Sequence, residues 1–222
     1  YSINENSVTI TDCDTAASGE LIIPSIIGGM PVTIIGEEAF YNCSRLTNIT
    51  IPDSVNSIGD FAFNDCSGLT SITISNGVTS IGEKAFYNCD RLTSIMIPDS
   101  VNSIGDFAFL NCTGLTSITI SNGVTSIGEG VFYYCTSLRS ITIPNNVTSI
   151  SKNAFGECTS LTSVTFEENS QLTSIGNFAF RHCTSLRSIT IPNSVTNIHD
   201  YAFYECASLN SVTFGEDSQL TS

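Results

Sequence analysis

The chain has 222 residues, with seven Lys or Arg against 21 Asp or Glu and a formal charge of −14. That balance argues against nucleic acid, whose phosphates are met by basic residues, and against adsorption to anionic lipid. No apolar run approaches the ~20 residues of a spanning helix, so this segment is not expected to insert into a membrane. The acidity itself fits either solubility or an acidic docking surface.

Residues 1–31 differ from the rest of the chain. Ser7-Val8-Thr9-Ile10 and Leu21-Ile22-Ile23 read as short strands separated by Asp14-Thr15-Ala16-Ala17-Ser18-Gly19, which predicts a hairpin-like N-terminal cap. Tyr1 leads directly into this segment, and residues 1–31 contain no basic-then-apolar stretch of the signal type, which leaves export open for a mature or trimmed chain. Cys13 lies in the cap, and the sequence assigns it no partner.

Residues 32–222 read as one solenoid. A half repeat, Val32 to Arg45, precedes seven full repeats beginning at Leu46, Leu69, Leu92, Leu115, Leu138, Leu161 and Leu186, and a truncated one begins at Leu209. Each repeat has a landmark cysteine: Cys43, Cys66, Cys89, Cys112, Cys135, Cys158, Cys183 and Cys206. Six of the gaps between them are 23 residues and one is 25. A fixed period in the range of roughly 20 to 50 residues marks a stack of rungs with one shared core and no internal boundary. The truncated repeat leads us to expect a chain that continues past Ser222 with more repeats or a cap.

The repeat from Leu69 to Arg91 shows the physics. Leu69, Ile72 and Ile74 with Thr73 between the isoleucines give a period-two, β-branched strand with one buried face. Ser75-Asn76-Gly77 then turns the chain, and Pro52, Pro98, Pro144 and Pro192 replace the serine elsewhere. Val78 and Ile81 point inward from a second short strand, and Gly82 allows a bend. Glu83-Lys84-Ala85-Phe86-Tyr87-Asn88-Cys89 reads as a single helical turn, with Ala85, Phe86 and Cys89 on one face.

Longer-range copies overlie this period. Ile51 to Phe63 recurs as Ile97 to Phe109, and Ile74 to Glu83 recurs unchanged as Ile120 to Glu129, so a unit of 46 residues was duplicated. The 25-residue repeat extends its turn by two residues, Glu167-Glu168-Asn169-Ser170-Gln171, and Gly215-Glu216-Asp217-Ser218-Gln219 repeats that longer form. Both extensions are placed on the edge after the first strand.

Nine cysteines could signal disulfides or a metal site, but one per rung at a constant offset from Phe predicts a buried column of small apolar thiols. Bridging and metal binding are the alternatives. His182 and His199 occupy different registers, and a Cys183–His182 dyad would need both side chains on one face of a turn, so no catalytic residue is assigned. Asp60, Glu83, Asp106 and Glu129 read as a solvated outer bend. No metal or cofactor is expected.

The string L-x-x-I-x-I-P-x-x-V-x-x-I-G-x-x-A-F-x-x-C resembles the Treponema-type (BspA-like) leucine-rich repeats of bacterial and protist surface proteins. The resemblance covers about Val32 to Ser222, and residues 1–31 resemble that family's cap. It implies a β-rich, right-handed curved leucine-rich-repeat stack with a concave parallel sheet, short second strands and single helical turns on the convex side. It also implies a non-catalytic, secreted or cell-surface adhesion module whose partner is a host or matrix protein or a cell-surface glycan.

On the exposed side of the first strands, one column reads Thr50, Thr73, Met96, Thr119, Thr142, Thr165, Thr190, Thr213. A second reads Thr47, Thr70, Thr93, Thr116, Arg139, Thr162, Arg187, Asn210. Threonine suits an exposed strand, so these columns are explicable by solubility alone. Arg139 and Arg187, two repeats or roughly 10 Å apart, and Met96 depart from that pattern. Together with Thr73, Thr119, Thr142 and Thr165 they are the candidate ligand contacts. The principal functional expectation is protein binding and adhesion. A structural spacer or stalk is the alternative, with glycan binding a further reading and a threonine-array ice binder disfavoured by Met96 and Arg139.

Overall fold

The structure is a computed structural model that describes residues 1–215 and 217–221; Glu216 and Ser222 lie outside the described residues. The L-x-x-I-x-I segments become one strand per rung: Leu46–Thr50, Ser71–Thr73, Ser94–Ile97, Ser117–Ile120, Ser140–Ile143, Ser163–Phe166, Ser188–Ile191 and Ser211–Phe214. They stack in parallel with equivalent residues opposite each other, Ile95 beside Ile118 and Met96 beside Thr119. Alternation then decides the faces, because successive side chains of a strand point to opposite sides. Ile95 and Ile97 are buried while Ser94 and Met96 are exposed.

After a first group of three, Gly19–Ile22, Leu46–Thr50 and Ser71–Thr73, the strands of this broad sheet pair in twos. Ser94–Ile97 pairs with Ser117–Ile120, Ser140–Ile143 with Ser163–Phe166, and Ser188–Ile191 with Ser211–Phe214. Each pair opens on a proline rung, carrying Pro98, Pro144 or Pro192. Proline has no N–H to send back to the preceding rung. A rung without proline has one: the Glu167 N–H donates to the Ile143 carbonyl at 3.0 Å. The sheet breaks therefore follow the duplicated two-repeat unit, and single bonds such as Thr93 N–H to the Thr70 carbonyl bridge them.

Second strands such as Ser80–Ile81 and Ser103–Ile104 form a narrower parallel ladder. After them, Gly82 allows a close crossing, since a Cβ there would sit 2.5 Å from the Asp60 backbone nitrogen of the preceding rung.

The expected helical turns do not form. Among the described residues no segment is helical, and the Gly82-to-Cys89 stretch consists of tight turns. Lys84 and Asn88 both have positive φ, 50° and 58°, and the same two positions are left-handed in every rung from Glu38 and Asn42 to Tyr201 and Glu205. Two left-handed residues four apart stop any helical run. Their N–H groups are satisfied across rungs instead: Lys84, Phe86 and Asn88 donate to the carbonyls of Asp106, Ala108 and Leu110 at 2.8–3.0 Å. The turns thus form a third ladder.

The core lies between these three ladders. Phe40, Phe63, Phe86, Phe109, Phe132, Phe155, Phe180 and Phe203 stack ring on ring, with centroids 5.0–5.6 Å apart. Leu, Ile, Val and Ala columns run beside them, buried from Val8 to Ala202.

The first 31 residues also differ from expectation. Ser7–Ile10 does not pair with the strand at Gly19–Ile22. Instead Ser7–Ile10 joins Met30–Ile35 in the second ladder, and Gly19–Ile22 joins Leu46–Thr50 in the broad sheet, both in parallel. The segment is an irregular rung with the stack's own topology, and a small hairpin of Ser2–Asn4 on Ser7–Ile10 is added at its edge. Parallel pairing lets it cover both ladders of the first repeat at once.

Candidate functional site

Most exposed threonines near the start of the broad-sheet strands serve the stack. The hydroxyls of Thr70, Thr93, Thr116 and Thr162 donate to the backbone carbonyl one rung back, Thr47, Thr70, Thr93 and Arg139, at 3.0–3.3 Å. Thr79, Thr148, Thr173, Thr196 and Thr221 repeat the device beside the second strands. These columns are hydrogen-bonded ladders as well as a soluble surface.

The candidate contacts share one face but not one place. Thr73, Met96, Thr119, Thr142 and Thr165 are exposed on successive strands, with Met96 opposite Thr119 and Thr142 opposite Thr165. Met96 is 66% exposed, a large apolar group left in water. Arg139 and Arg187 are exposed and flank Thr162, whose N–H donates to the Arg139 carbonyl at 2.8 Å. Among the described residues neither guanidinium joins an ion pair, whereas Lys84, Lys152 and Arg181 each do.

Thr165 opens onto a groove of about 740 Å³ along Ser163–Phe166 and Ser188–Ile191. Its walls mix hydroxyls and amides, Thr162, Ser188, Thr190, Asn169, Asn193 and Gln219 among them, with the Glu167 carboxylate and the apolar groups of Phe166, Ile191 and Pro192. Ser194, also in the lining, has a buried hydroxyl with no hydrogen-bond partner among the described residues. The extended turns at residues 167–171 and 215–219 contribute Glu167, Asn169, Ser170, Gly215 and Gln219. Met96 and Thr73 lie several rungs away and take no part. Sequence reasoning missed Phe166, Asn169, Asn193 and Gln219 as site residues. Their signal was the two-residue extension, which marks where the wall rises.

A second concavity of about 400 Å³ lies on the turn side, lined by Tyr87, Phe107, Leu110, Asn111, Tyr133 and Tyr134. No sequence motif pointed to it, because these are variable positions of the repeat.

The eight column cysteines are buried and unbridged. From Cys66 to Cys206, each thiol donates to the carbonyl of the phenylalanine one rung back, at 3.1–3.3 Å. Burial, which disfavours the thiolate, pushes Cys66 and Cys135 up to about 12 and Cys206 to about 11. Such thiols stay protonated at neutral pH, the form that is not the nucleophile. Cys183 donates to the Phe155 carbonyl while His182 faces Glu205, with Nδ1 3.7 Å from Oε2, so the two form no dyad. Among the described residues no group of His, Cys, Asp or Glu is arranged to hold a metal. Asp60 and Asp106 accept the backbone N–H of Glu83 and Glu129 in the next rung at 2.7 and 2.8 Å, so that acidic column is partly a set of braces.

The family model for the BspA type leucine rich repeat region matches residues 33–162 and 125–222, with six copies. A solved leucine-rich repeat protein of T. pallidum is 30% identical, with a TM-score of 0.75 over 82% of this chain and 83% of its own. One from Bacteroides ovatus is 28% identical with a TM-score of 0.65, covering 100% of this chain and 73% of that one. One from Eubacterium ventriosum is 25% identical with a TM-score of 0.70, covering 89% of this chain and 64% of that one. No curated protein sequence matches.

Proposed function

This chain belongs to the BspA type leucine rich repeat family, and we propose that it is a non-catalytic adhesion module of the cell surface that binds a host or matrix protein. The observation that carries this reading is the groove rich in hydroxyls and amides on the exposed face of the broad sheet, the face that also carries Arg139 and Arg187. Two guanidiniums with no ion pair among the described residues, on a chain of charge −14, are placed to meet carboxylates of a protein partner. The groove then supplies short-range hydrogen bonds, and Phe166 an apolar anchor.

A spacer role is the second reading, favoured by the threonine ladders, which commit much of the same face to internal bonding. Binding of the chain to immobilised matrix proteins and to a glycan array separates the two. Adhesion predicts a saturable protein ligand whose affinity falls about tenfold or more when Arg139 and Arg187 are both changed to Thr. Saturable binding to glycans alone would replace the protein partner with a sugar. No binding to either would leave the spacer reading.

A further inference from the structure

We propose that Cys13 and Cys43 are a disulfide site that fastens the amino-terminal rung to the first repeat. Cys43 is the first member of the thiol column and differs from the rest. Its seven successors each donate to a phenylalanine carbonyl one rung back. Before Cys43 there is no such phenylalanine, and the place is taken by the Cys13–Asp14 segment. The Cys43 Sγ lies 3.9 Å from the Cys13 carbonyl oxygen. Both sulfurs converge on one atom, the Asp14 carbonyl oxygen, at 3.7 Å from Cys13 and 4.0 Å from Cys43. The pair is separated by 30 residues of chain, so a bond between them closes a loop spanning the whole junction of rung and repeat.

The two thiols also differ in access. Cys43 is fully buried, while Cys13 is half-exposed and is the sulfur an oxidant reaches first. With a disulfide oxidant RSSR, such as glutathione disulfide, the Cys13 thiolate attacks one sulfur and expels RS⁻, giving Cys13–S–S–R. The Cys43 thiolate then attacks the Cys13 sulfur and expels the second RS⁻. The protein loses two protons and two electrons, and the oxidant is reduced to two RSH. Burial and the Asp12 and Asp14 carboxylates hold both thiols in the protonated form, with Cys43 pushed up to about 12, so the exchange speeds up as pH rises. The column thiols, boxed between rungs and bonded to carbonyls, stay out of the reaction.

The test uses the full chain in glutathione buffers of graded oxidised-to-reduced ratio at alkaline pH. Acid quenching, alkylation after unfolding and peptide mass spectrometry identify the linkages. The expected result is a Cys13–Cys43 linked peptide, with the seven other cysteines still alkylated. Bond formation should also slow amide exchange in residues 2–22 on the order of tenfold or more, because a cross-link suppresses local opening. In Cys13→Ser, which replaces only the half-exposed partner, Cys43 should remain a free thiol. Cys13 trapped only as the glutathione adduct, nine free thiols at every ratio, or Cys13 joined to any other cysteine would each overturn the proposal.

Discussion

The Cys112 thiol donates to the backbone carbonyl of Phe86, one rung back, at 3.1 Å. That carbonyl also accepts the Cys89 N–H at 3.2 Å, so a single oxygen closes a turn within its own rung and ties it to the next. Serine could make the same bond. Cysteine makes it with a larger, more polarisable atom that also fills apolar space beside the phenylalanine stack.

This arrangement predicts alkaline sensitivity. A column thiol has an ordinary value of 9.0 in the unfolded chain and about 12 at Cys66 and Cys135 in the folded one. The folded form holds its protons more tightly, so the stabilisation is complete below about pH 9 and is lost as pH rises toward 12. Urea midpoints should fall steeply above pH 9. Changing both Cys66 and Cys135 to Ala should flatten the decline by about 1.4 kcal/mol per pH unit for each thiol removed. An unchanged slope would mean that these thiols titrate freely in the native state.

The phenylalanine stack should be most sensitive at its middle. Phe109 is fully buried between Phe86 and Phe132, at 5.1 and 5.6 Å. Phe109→Ala should cost about 3–5 kcal/mol, through lost transfer energy and an unfilled cavity. Phe203, partly buried at the last rung with a stacking partner on one side, should cost less. Circular dichroism during urea unfolding measures both, and equal costs would argue against the stack as a continuous spine.

Lys84 lies between two phenyl rings on the turn side, with Nζ 5.2 Å from the Phe61 centroid and 5.5 Å from that of Phe107. It also pairs with Glu83 at 2.9 Å. Lys84→Met keeps the aliphatic stem and removes the charge. The expected loss is about 0.5–1 kcal/mol, largely insensitive to salt because the ring contact is short-ranged. A loss abolished by moderate salt would assign the effect to Glu83 instead.

Removing Glu168 and Asn169 restores the 23-residue spacing of the other repeats. The fold should survive with little change in midpoint, since a short surface loop carries little of the packing. Binding to the immobilised matrix protein should weaken, because Asn169 is part of the groove wall. Undiminished affinity would place the contact elsewhere on the sheet.

Much was legible because side-chain direction is a local property. The alternation at Ile72, Thr73 and Ile74 shows which face each side chain takes, whatever pairs with the strand. The constant Phe-x-x-Cys offset likewise shows that Phe86 and Cys89 share the interior. The 46-residue copies even carry the two-by-two pairing of the broad sheet, although within one repeat a proline such as Pro98 marks only the end of a strand.

What stayed hidden depends on neighbouring rungs. The spacing of Ala85, Phe86 and Cys89 fits a helical turn as well as it fits two left-handed residues in tight turns. The choice between them rests on where the Lys84, Phe86 and Asn88 N–H groups find acceptors, and those acceptors are one rung away, at Asp106, Ala108 and Leu110. The groove likewise needed two extended turns brought over adjacent strands, and Cys13 needed the first rung laid against Cys43. A repeat specifies from within itself which atoms it buries, but its backbone hydrogen bonds and its concavities are properties of the stack.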